Sequence, residues 1–151
     1  MKIRKASLED LNELYTLEKT LFEAANFPLS KSSFRYHIKN NLLYTAKINN
    51  KIVGYILVLT KRKIPKIYSL GVLQEYRGKQ ISKSLLQKAL DKLQILGFER
   101  TCLEVRCDNL LAISLYEKFG FSIKQQINSF YLDGCNAYFM QKTLQDEETI
   151  F

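Results

Sequence analysis

A single histidine, three cysteines and no long uncharged apolar run leave these 151 residues with little from which to build metal centres, disulfide frameworks or membrane spans. No transmembrane helix is expected, since a span needs about twenty apolar residues in succession. The start, MKIRKASLED, lacks the apolar core of a signal peptide, so no leader is expected either. Cys102, Cys107 and Cys135 are odd in number and lack metal-ligand spacing, which reads as free thiols in a reducing cytosol, and no metal is expected. The lone histidine, His37, falls in a stretch that reads as a short helix and is expected at the surface. Acidic side chains are also short in supply: 15 Asp and Glu face 23 Lys and Arg, a formal net charge of +8. An anionic cofactor, an acidic substrate or nucleic acid would each suit that balance, and so would a lysine-rich surface that only aids solubility.

What is present is ordinary for a globular chain, with 46% hydrophobic and 25% charged residues. The length suits one domain, expected over residues 1–145, followed by an acidic tail over 146–151 that frays. SLEDLNELYTLEKTLF reads as a helix capped by Ser7 and Asp10, with Leu8, Leu11, Leu14 and Leu21 at helical spacing. SKSSFRYHIKN reads as a second, short helix. LLYTAKI and IVGYILVLT read as a hairpin turning at Asn49 and Asn50, and IYSLGV as a third strand. Ile81, Leu85, Leu86, Ala89, Leu90, Leu93 and Leu96 then mark one face of a helix stopped by Gly97. TCLEV is a strand, NLLAISLYEKF a helix stopped by Gly120, and FSIKQQI and NAYFMQKTL are strands around Asp133 and Gly134. Two helices, a β-meander and then strand–helix–strand–helix–strand–strand make one α/β domain with a mixed sheet.

The stretch EYRGKQISKSLL, between the third strand and its helix, has the makings of an anion site. The first amides of a helix have no internal partner, and Arg77, Lys79 and Lys83 reinforce the dipole. The spacing from Gly71 to Gly78 and the Gln80 after Lys79 exclude a Walker A loop, and the glycines of a dinucleotide fingerprint are missing. For this stretch alone, a basic helix start without a ligand reads as well as an anion site.

VLQEYRGKQISKSLL resembles the acyl-coenzyme A binding segment of the GNAT superfamily of N-acetyltransferases, with Arg77 at the first motif place and Gln80 and Ser82 at the two places where small residues are usual. LEVRCDNLLAISLYEKFGF and the closing FYLDGCNAYFM resemble the ribosomal-protein alanine N-terminal acetyltransferases. The resemblance covers nearly the whole chain. It implies an α/β acyl-coenzyme A N-acyltransferase fold, in which a mixed, mostly antiparallel sheet has a central parallel pair splayed at the cofactor site and is flanked by the helices already read.

It also implies acetyl-coenzyme A as donor and direct transfer of acetyl to an amine within a ternary complex. By similarity, Arg77, Gly78, Lys79, Gln80, Ile81, Ser82 and Lys83 hold the pyrophosphate, chiefly through backbone amides. Leu70, Gly71 and Val72 pair with pantetheine, and the Val72 amide faces the thioester oxygen. A glutamine in ordinary helical conformation still presents its amide, so Gln80 is expected to be helical, with Gly78 supplying the flexibility.

Glu104 is the candidate base. A carboxylate within an otherwise buried strand is costly unless paired or used, and burial would raise its pKa toward neutrality. It shares a strand face with Cys102 and Arg106, and the competing reading is a structural pair with Arg106 or a lysine. Tyr116 is the candidate acid for the leaving thiolate, against a reading as a core aromatic. Asn109 reads both as helix cap and as cofactor ligand.

Covalent catalysis by Cys102 or Cys107 lacks a histidine near in sequence and is disfavoured. The acceptor groove is expected between FEAANFPLSKSSF and INSFYLDGCNAYF, with Tyr131 as substrate contact or as hairpin packing. With few acids there beyond Glu23 and Asp133, a protein N-terminal amine or a small, weakly basic amine fits better than a polyamine. A lysine side chain, an amino sugar or another metabolite amine remains the alternative acceptor. A coenzyme A-binding regulator with a decayed site rests only on Gln80 and Ser82. A nucleic-acid module would need an aromatic stacking platform, whereas the aromatics are scattered. No membrane partner is expected, and a monomer or homodimer suits the size.

Overall fold

In a computed structural model the protein is described over residues 1–22 and 27–145, so the acidic tail expected at 146–151 and the groove residue Glu23 lie outside the described residues. Strands β1 (Lys2–Lys5), β2 (Leu42–Ile48), β3 (Lys51–Leu59), β4 (Lys66–Val72), β5 (Arg100–Arg106), β6 (Ser122–Ile127) and β7 (Ala137–Thr143) form one sheet in the order β1-β2-β3-β4-β5-β7-β6. Every neighbouring pair is antiparallel except β4 and β5, which run parallel. Helices α1 (Leu11–Leu21) and α2 (Lys31–Asn40) contribute to one apolar core; α3 (Ile81–Ile95) and α4 (Leu110–Lys118) contribute to a second.

The two cores lie on opposite faces of the sheet, and strand alternation assigns residues to each. Tyr55 and Leu57 of β3 join the α1–α2 core with Leu14 and Phe34, while Ile56 and Val58 join the α3–α4 core with Leu85, Leu86 and Leu93. Covered on both faces, β3 is buried from Ile52 through Val58, as its near-continuous apolar run implies. The hairpin before it turns at Asn49 (φ 51°) and Asn50 (φ 63°), both left-handed as their identity predicts. The expected parallel pair and flanking helices are present.

Four local expectations are corrected. Strand β1 is absent from the sequence reading because KIRK offers only Ile3 as an apolar signal. Its pairing with β2 is made by backbone, and its charges suit an exposed edge. Leu8 is exposed because a single 3₁₀ turn, Leu8–Asp10, precedes α1, tied by the Ser7 amide donating to Asp10 Oδ2 at 2.9 Å. Leu96 is exposed because α3 ends at Ile95. His37 is half-buried rather than superficial, bonded through Nδ1 to the Asn41 amide at 2.9 Å, and burial lowers its pKa.

Leu85 is fully buried where α3 crosses β3, 3.4 Å from where a Cβ on Gly54 would stand. Leu85→Ala should therefore lower unfolding free energy by about 2–5 kcal/mol, measured by denaturant titration, with an unchanged slope.

Candidate active site

Strands β4 and β5 pair only at Lys66–Cys102 and Ile67–Leu103. Beyond those rungs β4 stays with β3 as far as Gly54–Val72, and β5 stays with β7 as far as Arg106–Ala137, so a gap opens between them. The Leu73 amide donates to Val53 of β3 at 2.8 Å, and by strand alternation the amides of Leu70 and Val72 face the gap. The Val72 carbonyl is taken by Arg77 Nε at 3.2 Å, which ties the following turn to the end of the strand.

Two cavities occupy the gap. The larger, about 540 Å³, is lined by Leu70, Gly71 and Val72, by the turn residues Arg77, Gly78, Gln80, Ile81, Ser82 and Lys83, and by Asn109, Ala112 and Tyr116 around α4. The predicted cofactor residues thus converge, with one exception. Lys79 does not line this cavity; its ammonium lies 5.6 Å from the Tyr76 ring centroid.

Gln80 corrects the expectation of a helical conformation: it is left-handed, φ 66° and ψ 15°, two residues after Gly78 at φ 82°. Two left-handed residues, separated by Lys79, lead the chain into α3, and glycine at both places would adopt that conformation without strain. No side chain caps α3, so its leading amides at Ile81, Ser82 and Lys83 have no side-chain acceptor. An exposed helix start with uncapped amides, flanked by Arg77 and Lys83, fits an anionic phosphate group.

The smaller cavity, about 160 Å³, meets the first at Phe22, Leu70, Asn109, Ala112 and Tyr116. Its walls are aromatic: Phe22, Phe27, Tyr68, Phe130 and Tyr131. Two carboxylates, Glu18 and Glu104, reach it from outside the two segments expected to form the groove; Glu104 is an expected residue of the site and Glu18 is not. Glu104 forms an ion pair with Lys66 across the two central strands, so the lysine pairing is the one observed. Arg106 binds Asp133 at 2.8 Å and Asp108 at 3.1 Å, and its guanidinium stands 5.0 Å from the Tyr131 ring centroid, fixing that ring against β5.

Tyr116 is buried at the junction of the cavities, and burial pushes its phenol well above the usual tyrosine range. Its hydroxyl has no hydrogen-bond partner among the described residues, and the raised pKa keeps it protonated. Burial likewise pushes Tyr131 up to about 12. Asn109 Oδ1 accepts from the Ala112 amide at 3.2 Å, capping α4, while the residue lines both cavities, so the two readings of Asn109 are compatible. Cys102 is buried, lines neither cavity and has its thiol pKa raised by burial, against a covalent role.

The acetyltransferase (GNAT) family model matches residues 8–121. The chain belongs to that family. An N-alpha-acetyltransferase of Saccharolobus solfataricus is 31% identical across 94% of this chain and 92% of its own. In fold, the chain resembles the ribosomal-protein-S18-alanine N-acetyltransferase of Escherichia coli (TM-score 0.86, 24% identity, 99% and 98% of the two chains covered). It also resembles a chain from the NatC complex bound to Gag peptide and CoA (TM-score 0.80, 23% identity, 96% and 100% covered). The protein is thus a GNAT N-acetyltransferase, a family whose donor is acetyl-coenzyme A.

Sequence reasoning placed Glu104, Tyr116 and Tyr131 around one cavity but missed Glu18, Lys66 and the aromatic walls. Glu18 did carry a signal: it occupies the core-facing place between Leu14 and Leu21 on α1, where a carboxylate is out of character.

In the acetyltransferase, Gln80→Gly should relieve left-handed strain, offset in part by greater unfolded-chain freedom, and raise stability by up to about 1 kcal/mol. Because the turn already has its final shape, acetyl-coenzyme A affinity should change less than about threefold by calorimetry.

Proposed function

We propose that this acetyltransferase transfers acetyl from acetyl-coenzyme A to the α-amine of a protein N-terminus, directly and within a ternary complex. The observation that carries this reading is the meeting of the two cavities at Tyr116, which brings a polar, phosphate-suited cleft and an aromatic-walled pocket to one point. The name of the archaeal relative favours an N-terminal α-amine over other acceptors. A cytoplasmic setting belongs to the same reading, supported by three cysteines that stay unpaired.

When bound, acetyl-coenzyme A supplies an acetyl carbonyl activated as a thioester. The amides at the α3 start and at Leu70 and Val72 are suited to anchor its pyrophosphate and pantetheine, with the Val72 amide polarising the carbonyl oxygen. Glu104 accepts a proton from the acceptor nitrogen through a water, with Lys66 holding its carboxylate in place. Tyr116 donates its proton to the departing sulfur as the new amide forms. The raised Tyr116 pKa keeps that proton in place across the working pH range. Tyr131, steadied by Arg106, contacts the acceptor backbone.

Thermal denaturation with and without acetyl-coenzyme A, followed by turnover on a peptide panel against small amines, tests the reading. Stabilisation should approach about 2.7 kcal/mol at a hundredfold excess over Kd, and peptides should outrun polyamines and amino sugars. No stabilisation, or turnover confined to small amines, would overturn it.

Tyr116→Phe should lower kcat roughly 10²-fold or more with acetyl-coenzyme A affinity nearly unchanged. No alkaline loss of rate from ionisation of Tyr116 should appear below about pH 10, the ordinary tyrosine value. Glu104→Gln should depress the rate most at low pH, where the amine is most protonated and a base is most needed. A uniform loss across pH would assign Glu104 a structural part.

A further inference from the structure

Glu18 is the most buried carboxylate among the described residues, 2% exposed, yet it lines the acceptor cavity. One oxygen accepts from the Tyr55 hydroxyl and the other from the Leu29 amide at 2.6 Å. Tyr55 is bonded in turn to Ser69 Oγ of β4 at 2.8 Å, so the chain of contacts runs from α1 through β3 to the strand that borders both cavities. A carboxylate offers about four lone-pair positions, and two are used. No cation faces Glu18 among the described residues; its titratable neighbours are the phenols of Tyr55 and Tyr68, both with pKa raised by burial and by this carboxylate. The other carboxylate of the cavity, Glu104, already has Lys66.

We propose that Glu18 is the acceptor-binding residue that receives the incoming ammonium. The cavity is lined by two acids, Lys66 and Arg106; Lys66 pairs with Glu104 and Arg106 with Asp108 and Asp133, so the countercharge missing at Glu18 is what a protonated amine brings. Buried ionised groups are sustained by a partner, and a charge-assisted bond between ammonium and carboxylate is the strong kind. The rings of Tyr68, Tyr131 and Phe130 line the same cavity, and aromatic rings attract cations. No bond is made or broken at Glu18: it docks the ammonium, and the proton leaves toward Glu104. Burial raises the Glu18 pKa in the empty cavity, and a docked cation opposes that shift. The inference rests on an amine acceptor, not on that amine being a peptide.

The test is binding, in the presence of coenzyme A, of a peptide acceptor and of its des-amino analogue, which lacks only the ammonium. Wild type should bind the ammonium form at least about tenfold more tightly. Glu18→Gln should bring the two within about twofold by weakening the ammonium form alone, with melting temperature and coenzyme A affinity unchanged. Glu104→Gln should keep the discrimination although turnover falls. Equal binding by wild type, equal weakening of both ligands by Glu18→Gln, or loss of discrimination only in Glu104→Gln would each overturn the proposal. Should Glu18→Gln fail to fold, a wild-type structure with peptide and coenzyme A decides: an ammonium within 3.2 Å of Glu18 supports the proposal, and one bonded only to Glu104 overturns it. If small amines alone are turned over, the peptide reading fails, and the same comparison with the amine and its uncharged isostere still tests Glu18.

Discussion

The parting of β4 from β5 after two rungs governs the rest of this structure. Parallel neighbours in the middle of a sheet normally continue their ladder, because unpaired backbone amides away from water are costly. Here each strand keeps its outer partner, β3 or β7, and gives up the inner one. The surrendered amides at Leu70 and Val72 become donors for whatever enters. The gap also needs walls, and α4 with the end of α1 supplies them through Tyr116, Ala112 and Phe22. Both cavities therefore follow from one missing stretch of ladder.

Electrostatics follow the same line. Lys66 and Glu104 pair across the two central strands where their ladder ends, so the ion pair bridges the strands at the mouth of the gap. The phenols that border it, Tyr68, Tyr116 and Tyr131, are held neutral by burial, and Glu18 and Glu104 add to that effect on Tyr68. With Arg106 held by Asp108 and Asp133, the pocket has neutral phenols, one neutralised carboxylate and one carboxylate lacking a cation among the described residues, the balance on which the proposed docking of a cationic guest rests. The aromatic walls set its size: at about 160 Å³ it matches a cavity of roughly 150 Å³ that takes up benzene, which suits an amine carried on a modest apolar side chain.

The elements were legible where one face of a periodic stretch is buried. The α3 face from Ile81 to Leu93 is buried as read, and Leu103 and Val105 of TCLEV share its core. Asn49 and Asn50 announced their turn because few other residues tolerate that conformation. Edges were less legible: β1 relies on backbone pairing, which leaves little trace in side chains. The acceptor cavity was legible only in part, since Phe22, Tyr68 and Phe130 come from three separate segments and each alone looks like packing. Glu18 was visible only as a misplaced acid on an apolar stripe, and its meaning required Tyr55 and Leu29, far from it in sequence.

Gln80 shows why the two halves of the site differ in how they tolerate change. The cofactor side is made of amides, so it demands a path of the chain rather than particular side chains. Gln80 follows the left-handed path that glycine would follow, and its side chain is exposed to solvent. Ser82 is small enough to leave the α3 start open. A motif with two replaced small residues can therefore keep its geometry at a cost of about 1–2 kcal/mol for the left-handed residue. The acceptor side works the other way. Glu18, Glu104, Phe130 and Tyr131 line that cavity with their side chains, and in the proposed reading they act through them. Divergence at the α3 turn is thus a poor guide to lost activity, whereas on the proposed reading exchange of Glu18 removes the partner of the incoming ammonium.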